Sequence, residues 1–364
     1  MNTLYQKIKM GNIELSNRIF MAPMTRSRAD NPQNTPGELQ AKYYAQRSTA
    51  GLIISEGIVV SRQANGYINI PGLFTEQQIE DWKITTNAVH KNGGKIFAQL
   101  WHVGRISHPN LLDGELPVAP SAINPNTDVF TPAGMTKTVS PRELTIEDIK
   151  QTVNDFTRAA ENAIKAGFDG VEIHSSNGYL FQQFFNNCSN HRKDEYGGND
   201  KNKSRFLFEV IDAITKTIPA EKIGVRLNPM LHGMSGIKVD KETANTFNYI
   251  VSKLNDYSLA YLHLSRPFMQ LKKEYFITDV IGHYRKIYKG FLVANGNYDP
   301  DSAEKEIAAG RADAIAFARS FISNPDLPER VKNGWPLAEA DQSTFYTPGE
   351  KGYTDYPNYK PSKM

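Results

Sequence analysis

Thr145-Ile146-Glu147-Asp148 opens an amphipathic run that reaches Ala166, and Gly170-Val171-Glu172-Ile173-His174 follows it. A Thr three residues ahead of an acidic side chain is a capping box, which satisfies free N–H groups in the first turn of a helix. The segment after it is short, apolar and β-branched and ends on a polar residue, the pattern of a strand buried on both faces. The same alternation recurs along the chain. Seven further runs read as strands: Ile19–Ala22, Leu52–Ser55, Ile96–Leu100, Ile223–Leu227, Ala260–Leu264, Phe291–Ala294 and Ala314–Phe317. Amphipathic stretches at Thr75–Asn92, Ser204–Lys216 and Lys241–Leu254 lie between them, and Asp299-Pro300-Asp301-Ser302 opens another helix. Eight βα alternations predict an α/β fold, a closed (β/α)8 TIM barrel. The 364 residues fit one such domain, 1–364, with insertions.

Two connections are too long for plain βα loops. Val103–Pro141, studded with Pro109, Pro117, Pro120, Pro125 and Pro132, is expected to fold partly as a hairpin over the barrel mouth; Ser175–Gly198 is the other. The tail from Asp341 is rich in Tyr, Pro and Gly and is expected to pack back on the barrel.

Composition narrows the partners. Lys and Arg number 42 against 39 Asp and Glu, a net charge of +3 that lends no electrostatic support to a nucleic-acid or membrane-surface partner. A small-molecule substrate is the expectation. No apolar run approaches the ~18–20 residues of a membrane span, and the first residues lack the apolar stretch of a signal peptide. Cys188 is the only cysteine, so an internal disulfide, a cysteine-built zinc site and an iron–sulfur cluster are excluded. A cytoplasmic protein without a metal, monomeric or homodimeric, is expected.

In such a barrel the chemistry sits at the C-terminal ends of the strands. There the sequence places Pro23-Met24-Thr25-Arg26, Glu56-Gly57, Gln99 with Trp101-His102, His174 with Asn177 and Tyr179, Arg226, Asn295-Gly296-Asn297 and Ala318-Arg319. Each has an ordinary explanation alone: His174 as a hydrogen-bonded strand-end histidine, Arg226 as an ion-pair partner, Trp101 and Tyr179 as packing. Independent packing residues have no reason to converge on one face. The last two loops are where barrels build a phosphate site; Gly296 allows close backbone approach and Arg319 supplies a fork of donors. A phosphorylated cofactor suits them.

Met21-Ala22-Pro23-Met24-Thr25-Arg26, Ala98-Gln99-Leu100-Trp101-His102-Val103-Gly104-Arg105 and Gly167 to Leu180 with its H-x-x-N-G-Y-L segment are distinctive together. With Asp194-Glu195-Tyr196-Gly197-Gly198 and Tyr353-Thr354-Asp355-Tyr356-Pro357, they extend nearly end to end. On these motifs the chain resembles the Old Yellow Enzyme family of FMN-dependent ene-reductases, close to the bacterial N-ethylmaleimide and pentaerythritol tetranitrate reductases. The resemblance implies noncovalent FMN, with NADPH or NADH as reductant. It implies that Pro23, Met24, Thr25, Gly57, Gln99 and His174 line the flavin, that Arg226 lies beside its N1–C2 edge, and that Asn295, Gly296, Asn297, Ala318 and Arg319 hold the phosphate. His174 and Asn177 would donate to the substrate carbonyl, Tyr179 would protonate the alkene, and Tyr67, Trp101 and Tyr346 would shape the substrate pocket. The implied reaction is ping-pong hydride transfer to enones and maleimides, with nitro compounds and nitrate esters as further oxidants.

Three positions depart from the usual pattern. Asn177 stands where bacterial relatives often carry His, Ala318 where Gly commonly precedes the phosphate Arg, and Thr25 where a thermophilic-type branch has Cys. Rival flavin barrels fit less well: a tRNA dihydrouridine synthase needs a broad basic face and a cysteine near the flavin, and an iron–sulfur dienoyl reductase needs several more cysteines. A flavin-binding module without activity is opposed by intact His174, Asn177, Tyr179 and Trp101.

Overall fold

The run from Thr145 is a helix, Ile146–Lys165, closed at its start by reciprocal bonds between Thr145 and Asp148 of 3.1 and 2.8 Å. The strand after it is Gly170–His174, as expected. In the computed structural model, which describes residues 3–361, this unit belongs to a closed barrel of eight parallel strands. They are β1 (Ile19–Met21), β2 (Leu52–Val59), β3 (Ile96–Trp101), β4 (Gly170–His174), β5 (Ile223–Leu227), β6 (Tyr261–Ser265), β7 (Leu292–Asn295) and β8 (Ala314–Phe317). Each pairs with its sequence neighbours, and β8 closes on β1 with Ile315 opposite Ile19. Every residue of all eight is buried, because helices cover the outside of a parallel sheet and side chains fill the inside.

The inside is layered by the two-residue period of a strand. Phe20, Leu52, Ile54, Phe97, Tyr261, Val293 and Ala314 form an apolar layer, into which the hairpin Ile8–Met10/Ile13–Leu15 packs Met10 and Leu15. Two residues further along the same inner faces stand Gln99, His263 and Asn295 after Phe97, Tyr261 and Val293. A fully apolar barrel would be more cheaply filled, since buried polar groups need partners. The polar layer therefore marks where the fold gives way to chemistry.

Several boundaries differ from the sequence reading. Strand β2 continues through Glu56-Gly57 to Val59 instead of ending at Ser55, because its register against β3 shifts between Ile54 and Gly57 and the bulge absorbs the break. Strands β6 and β7 lie one residue later than read. The helix expected from Ser204 begins at Asp200, where the Asn199 side chain accepts from the Asn202 N–H, and the one expected from Lys241 begins at Thr243.

The long connections behave as expected. The first carries an antiparallel hairpin, Asp128–Thr131 with Gly134–Lys137, whose tip residue Pro132 lines a cavity shared with Tyr67 at the barrel mouth. The second contains Leu180–Phe185, a helix of six buried residues. Three buried arginines hold the tail through its carbonyls: Arg26 to Gly352 at 2.7 Å, Arg28 to Thr344 at 3.0 Å, and Arg47 to Tyr353 at 3.4 Å. Tyr353 stacks on Tyr43 with ring centroids 4.0 Å apart, and Arg47 lies 3.7 Å from the other ring's centroid at Tyr43. Among the described residues no helix is long and apolar enough to cross a membrane.

Candidate active site

At the centre of the polar layer Glu172 is fully buried. Its Oε1 accepts from Gln99 Nε2 at 2.7 Å and its Oε2 from His263 Nδ1 at 2.8 Å. Burial pushes this carboxyl up, but His263, Arg226 and Gln99 outweigh it and hold Glu172 below the usual carboxylate range. Burial keeps His263 neutral. A carboxylate can only accept, so Gln99 must turn its NH2 towards Glu172 and its carbonyl elsewhere.

Arg226 is buried beside them. Its Nη2 lies 3.4 Å from Asn295 Oδ1 and 3.5 Å from Ser265 Oγ, while its Nε has no partner. Burial lowers its pKa, yet a guanidinium stays charged in a protein. A buried cation with donors to spare favours negative charge arriving next to it.

His174 closes β4, and burial followed by the nearby Arg226 and His263 keeps its imidazole neutral. Ser176 Oγ is 3.1 Å from its Nδ1, leaving Nε2 for a ligand. Asn177 takes a left-handed backbone, φ 57°, and Gly178 follows at φ 80°, so the chain turns back across the barrel mouth. Asn228 Nδ2 sits 3.5 Å from Asn177 Oδ1, which leaves the Asn177 NH2 as the free donor. Tyr179 ends the turn with its hydroxyl 2.8 Å from that of Tyr67 and its ring edge-on to Trp101 and His174, at 4.9 and 5.1 Å. It lines the cavity; burial and then Tyr67 raise its pKa well above that of a free phenol.

Trp101 is stacked between Tyr67, 5.2 Å away, and His174, 5.9 Å away. Its ring lies against the backbone of Gly57, where an added Cβ would come within 2.3 Å of it.

These groups surround a cavity of about 450 Å³ lined by Pro23, Met24, Thr25, Tyr67, Gln99, Trp101, His174, Asn177, Tyr179, Arg226, Ala318, Arg319 and Tyr346. Asn295, Gly296 and Asn297 line an adjoining cavity of about 450 Å³, and Ala318 and Arg319 border both. Gly296 at φ 117° and Asn297 at φ 52° bend the chain there, and a Cβ on Gly296 would press on Arg266 at 3.0 Å. One expected residue, Gly57, lines neither cavity; its lack of a side chain seats Trp101.

Residues 3–338 match the model of the NADH:flavin oxidoreductase / NADH oxidase family. The chain belongs to this family. Its fold superposes on morphinone reductase in complex with tetrahydroNAD with a TM-score of 0.90, at 41% identity over 98% of each chain. The old yellow enzyme homologue from Zymomonas mobilis gives a TM-score of 0.92 at 40% identity, over 98% of this chain and 100% of that one. 12-oxophytodienoate reductase 1 of Oryza sativa subsp. japonica is 42% identical over 357 residues, 96% of this chain and 91% of that protein. The resemblance read from the motifs and the (β/α)8 barrel read from the periodicity are both borne out: the chain is an oxidoreductase of the Old Yellow Enzyme family.

The residues present fit the family's flavin. Arg226 and Trp101 both line the first cavity and each carries a buried nitrogen without a partner, Nε and Nε1, and Gln99 in the same lining has its carbonyl oxygen free of Glu172. Exposed Arg319 and the bent backbone at Gly296-Asn297 give the adjoining cavity the donors and room a phosphate needs.

Sequence reasoning missed part of the wall. Ile322, Gln342 and Phe345, with Arg26 of the strand-end group read above, complete the first cavity, and Phe268, Tyr298, Ala316, Phe317 and Ser320 the second. Glu172, His263 and Asn228 stand behind the lining. Ionisable residues on the inner period of apolar strands were a usable signal for Glu172 and His263. Nothing local in Gln342 or Phe345 signals a contact with strands so distant in the chain.

Proposed function

We propose that the chain, as a single domain over residues 1–364, is an FMN-dependent NAD(P)H ene-reductase acting on α,β-unsaturated carbonyl compounds. Enones and maleimides are its substrates, with nitro compounds and nitrate esters as further oxidants. What supports this most is the convergence on one cavity of two neutral donors, His174 Nε2 and the Asn177 amide, with a protonated Tyr179 and the buried Arg226.

Pro23, Met24, Thr25, Gly57, Gln99, His174 and Arg226 would hold the ring system, and Asn295, Gly296, Asn297, Ala318 and Arg319 the phosphate, without a covalent link. Bound there, FMN supplies hydride chemistry, accepting from NADPH or NADH and giving to the β carbon of the alkene.

The protein's own groups do the rest. His174 and Asn177 donate to the carbonyl oxygen, where negative charge grows as the alkene is reduced; each contributes on the order of 10²-fold, as oxyanion donors do. Neutral donors serve because that charge is transient. Tyr179 protonates the α carbon, and its raised pKa keeps the proton in place until the carbon becomes basic. Arg226 would stabilise negative charge on a cofactor bound in this cavity. Trp101, Tyr67 and Tyr346 bound the space over the ring and limit the shapes that enter. A single cysteine supports a cytoplasmic location, and a near-neutral charge the absence of nucleic-acid or membrane-surface partners.

The test is cofactor release followed by turnover. Acid precipitation of the yellow protein is expected to free FMN, and Arg319→Ala to weaken its binding. NADPH oxidation is expected to depend on cyclohexenone or N-ethylmaleimide and to yield the saturated product; the same assay ranks NADPH against NADH and adds nitroalkenes and nitrate esters. FAD or no flavin in the supernatant, or no enone-dependent oxidation, overturns the reading.

A further inference from the structure

Each alkene reduced takes one proton from Tyr179, and the proton has to be replaced. The hydroxyl of Tyr179 has the hydroxyl of Tyr67 at 2.8 Å. Trp101 and His174 meet its ring edge-on, at 4.9 and 5.1 Å. With a substrate filling the first cavity, the Tyr67 hydroxyl is a polar neighbour through which a proton can reach Tyr179.

Tyr67 stands between two cavities. It lines the one already described and also a second of about 570 Å³, whose walls include Arg62, Asn65, Asn110, Asp113 and Pro132. Asn110, Asp113 and Pro132 are exposed, so this outer cavity opens to solvent. Stacking on Trp101 at 5.2 Å and a 3.2 Å bond from its backbone N–H to Asn65 Oδ1 fix the Tyr67 ring in this dividing position.

We propose that Tyr67 is a second catalytic hydroxyl, which relays a solvent proton from the outer cavity to Tyr179. The inference rests on the reading of Tyr179 as the acid. In the step, the Tyr179 O–H bond breaks and its proton forms the new C–H bond at the α carbon, using the electron pair left there by hydride addition. The Tyr67 O–H proton moves to the Tyr179 oxygen, and water in the outer cavity reprotonates Tyr67. The hydroxide left is neutralised by bulk buffer. The sum is one hydride from the reductant and one proton from solvent for each alkene. Burial raises both phenols, so both rest protonated and are ready for the transfer.

The experiment uses the flavin-loaded enzyme and its Tyr67→Phe variant, which loses one oxygen atom and keeps the packing. Reoxidation of the reduced enzyme by cyclohexenone is followed in H2O/D2O mixtures. For the unaltered enzyme the rate is expected to curve with deuterium fraction, two protons moving together. For Tyr67→Phe it is expected to be linear, and slower by about tenfold or more, the loss of a hydrogen bond to a group that becomes charged. That slowing is expected to exceed any slowing of reduction by NADPH. A Tyr67→Phe variant with the original rate, or one that is slower but keeps a curved dependence, overturns the relay, as does a linear dependence in the unaltered enzyme. A Tyr179→Phe variant run alongside keeps the two readings apart: if it reoxidises at the original rate, Tyr179 is not the acid; if it is slow while Tyr67→Phe is normal, only the relay falls.

Discussion

Gln99 and Glu172 face each other on neighbouring strands, with the Gln99 amide nitrogen 2.7 Å from the Glu172 carboxylate. Since the carboxylate is anionic and only accepts, it leaves the Gln99 carbonyl as an acceptor, which in the proposed function would meet an N–H of a bound flavin. It also sets a negative charge near Arg226, whose positive charge would otherwise act fully on the ring.

Glu172→Gln removes that charge and keeps the shape. The expected result is tighter binding of reduced over oxidised FMN by about tenfold, a rise of about 30 mV in the two-electron potential. Dye-coupled anaerobic titration measures it. An unchanged or lower potential means that Glu172 does not oppose Arg226.

Glu56 is buried one residue before Gly57, with one carboxylate oxygen 3.3 Å from the Tyr44 hydroxyl and the other unpartnered. Burial raises its pKa from 4.5 to about 7. The folded state thus holds the proton that the unfolded chain releases, so the stability it contributes is present below about pH 4.5 and is lost as pH rises through 7. The full span is worth roughly 3 kcal/mol. Urea unfolding of Glu56→Gln against the unaltered protein is expected to show the variant gaining in relative stability from pH 5 to pH 8. A constant difference across that range contradicts the buried, protonated carboxyl.

How much of this could be read from the sequence follows from how local each cause is. The barrel was legible because its signal is short-range: β4 and the helix before it are fixed by a capping box and an apolar run within thirty residues. The site was legible where residues directly follow a strand, as His174, Arg226 and Asn295 do. The end of β2 was not, because a bulge depends on the partner strand as much as on Glu56 and Gly57 themselves. Gly57 was read as a flavin neighbour, and its closest consequence turned out to be room for Trp101, a contact between strands. The tail's contribution through Gln342 and Phe345 depends on arginines some three hundred residues earlier, a pairing that no local pattern encodes.

That tail is held by many polar contacts, from Arg26, Arg28, Gln46, Arg47 and Arg330 among others, and Tyr353 is packed among them, buried between Tyr43 and Arg28. Tyr353→Ala is expected to cost about 3–5 kcal/mol, in line with removal of other buried aromatics. It is also expected to loosen Tyr346 at the cavity rim, raising KM for bulky enones more than for cyclohexenone. Differential scanning fluorimetry and steady-state kinetics measure the two effects; an unchanged melting temperature means that the strap is held without it.

Anaerobic stopped-flow of the NADPH-reduced protein with cyclohexenone addresses the chemistry at its core. Oxidised-flavin absorbance is expected to return on mixing, with one cyclohexanone formed for each flavin reoxidised, and Tyr179→Phe is expected to slow this step by about 10²–10⁴-fold. A flavin that stays reduced until air is admitted, or one that reoxidises without forming cyclohexanone, would contradict an ene-reductase built on His174, Asn177 and Tyr179.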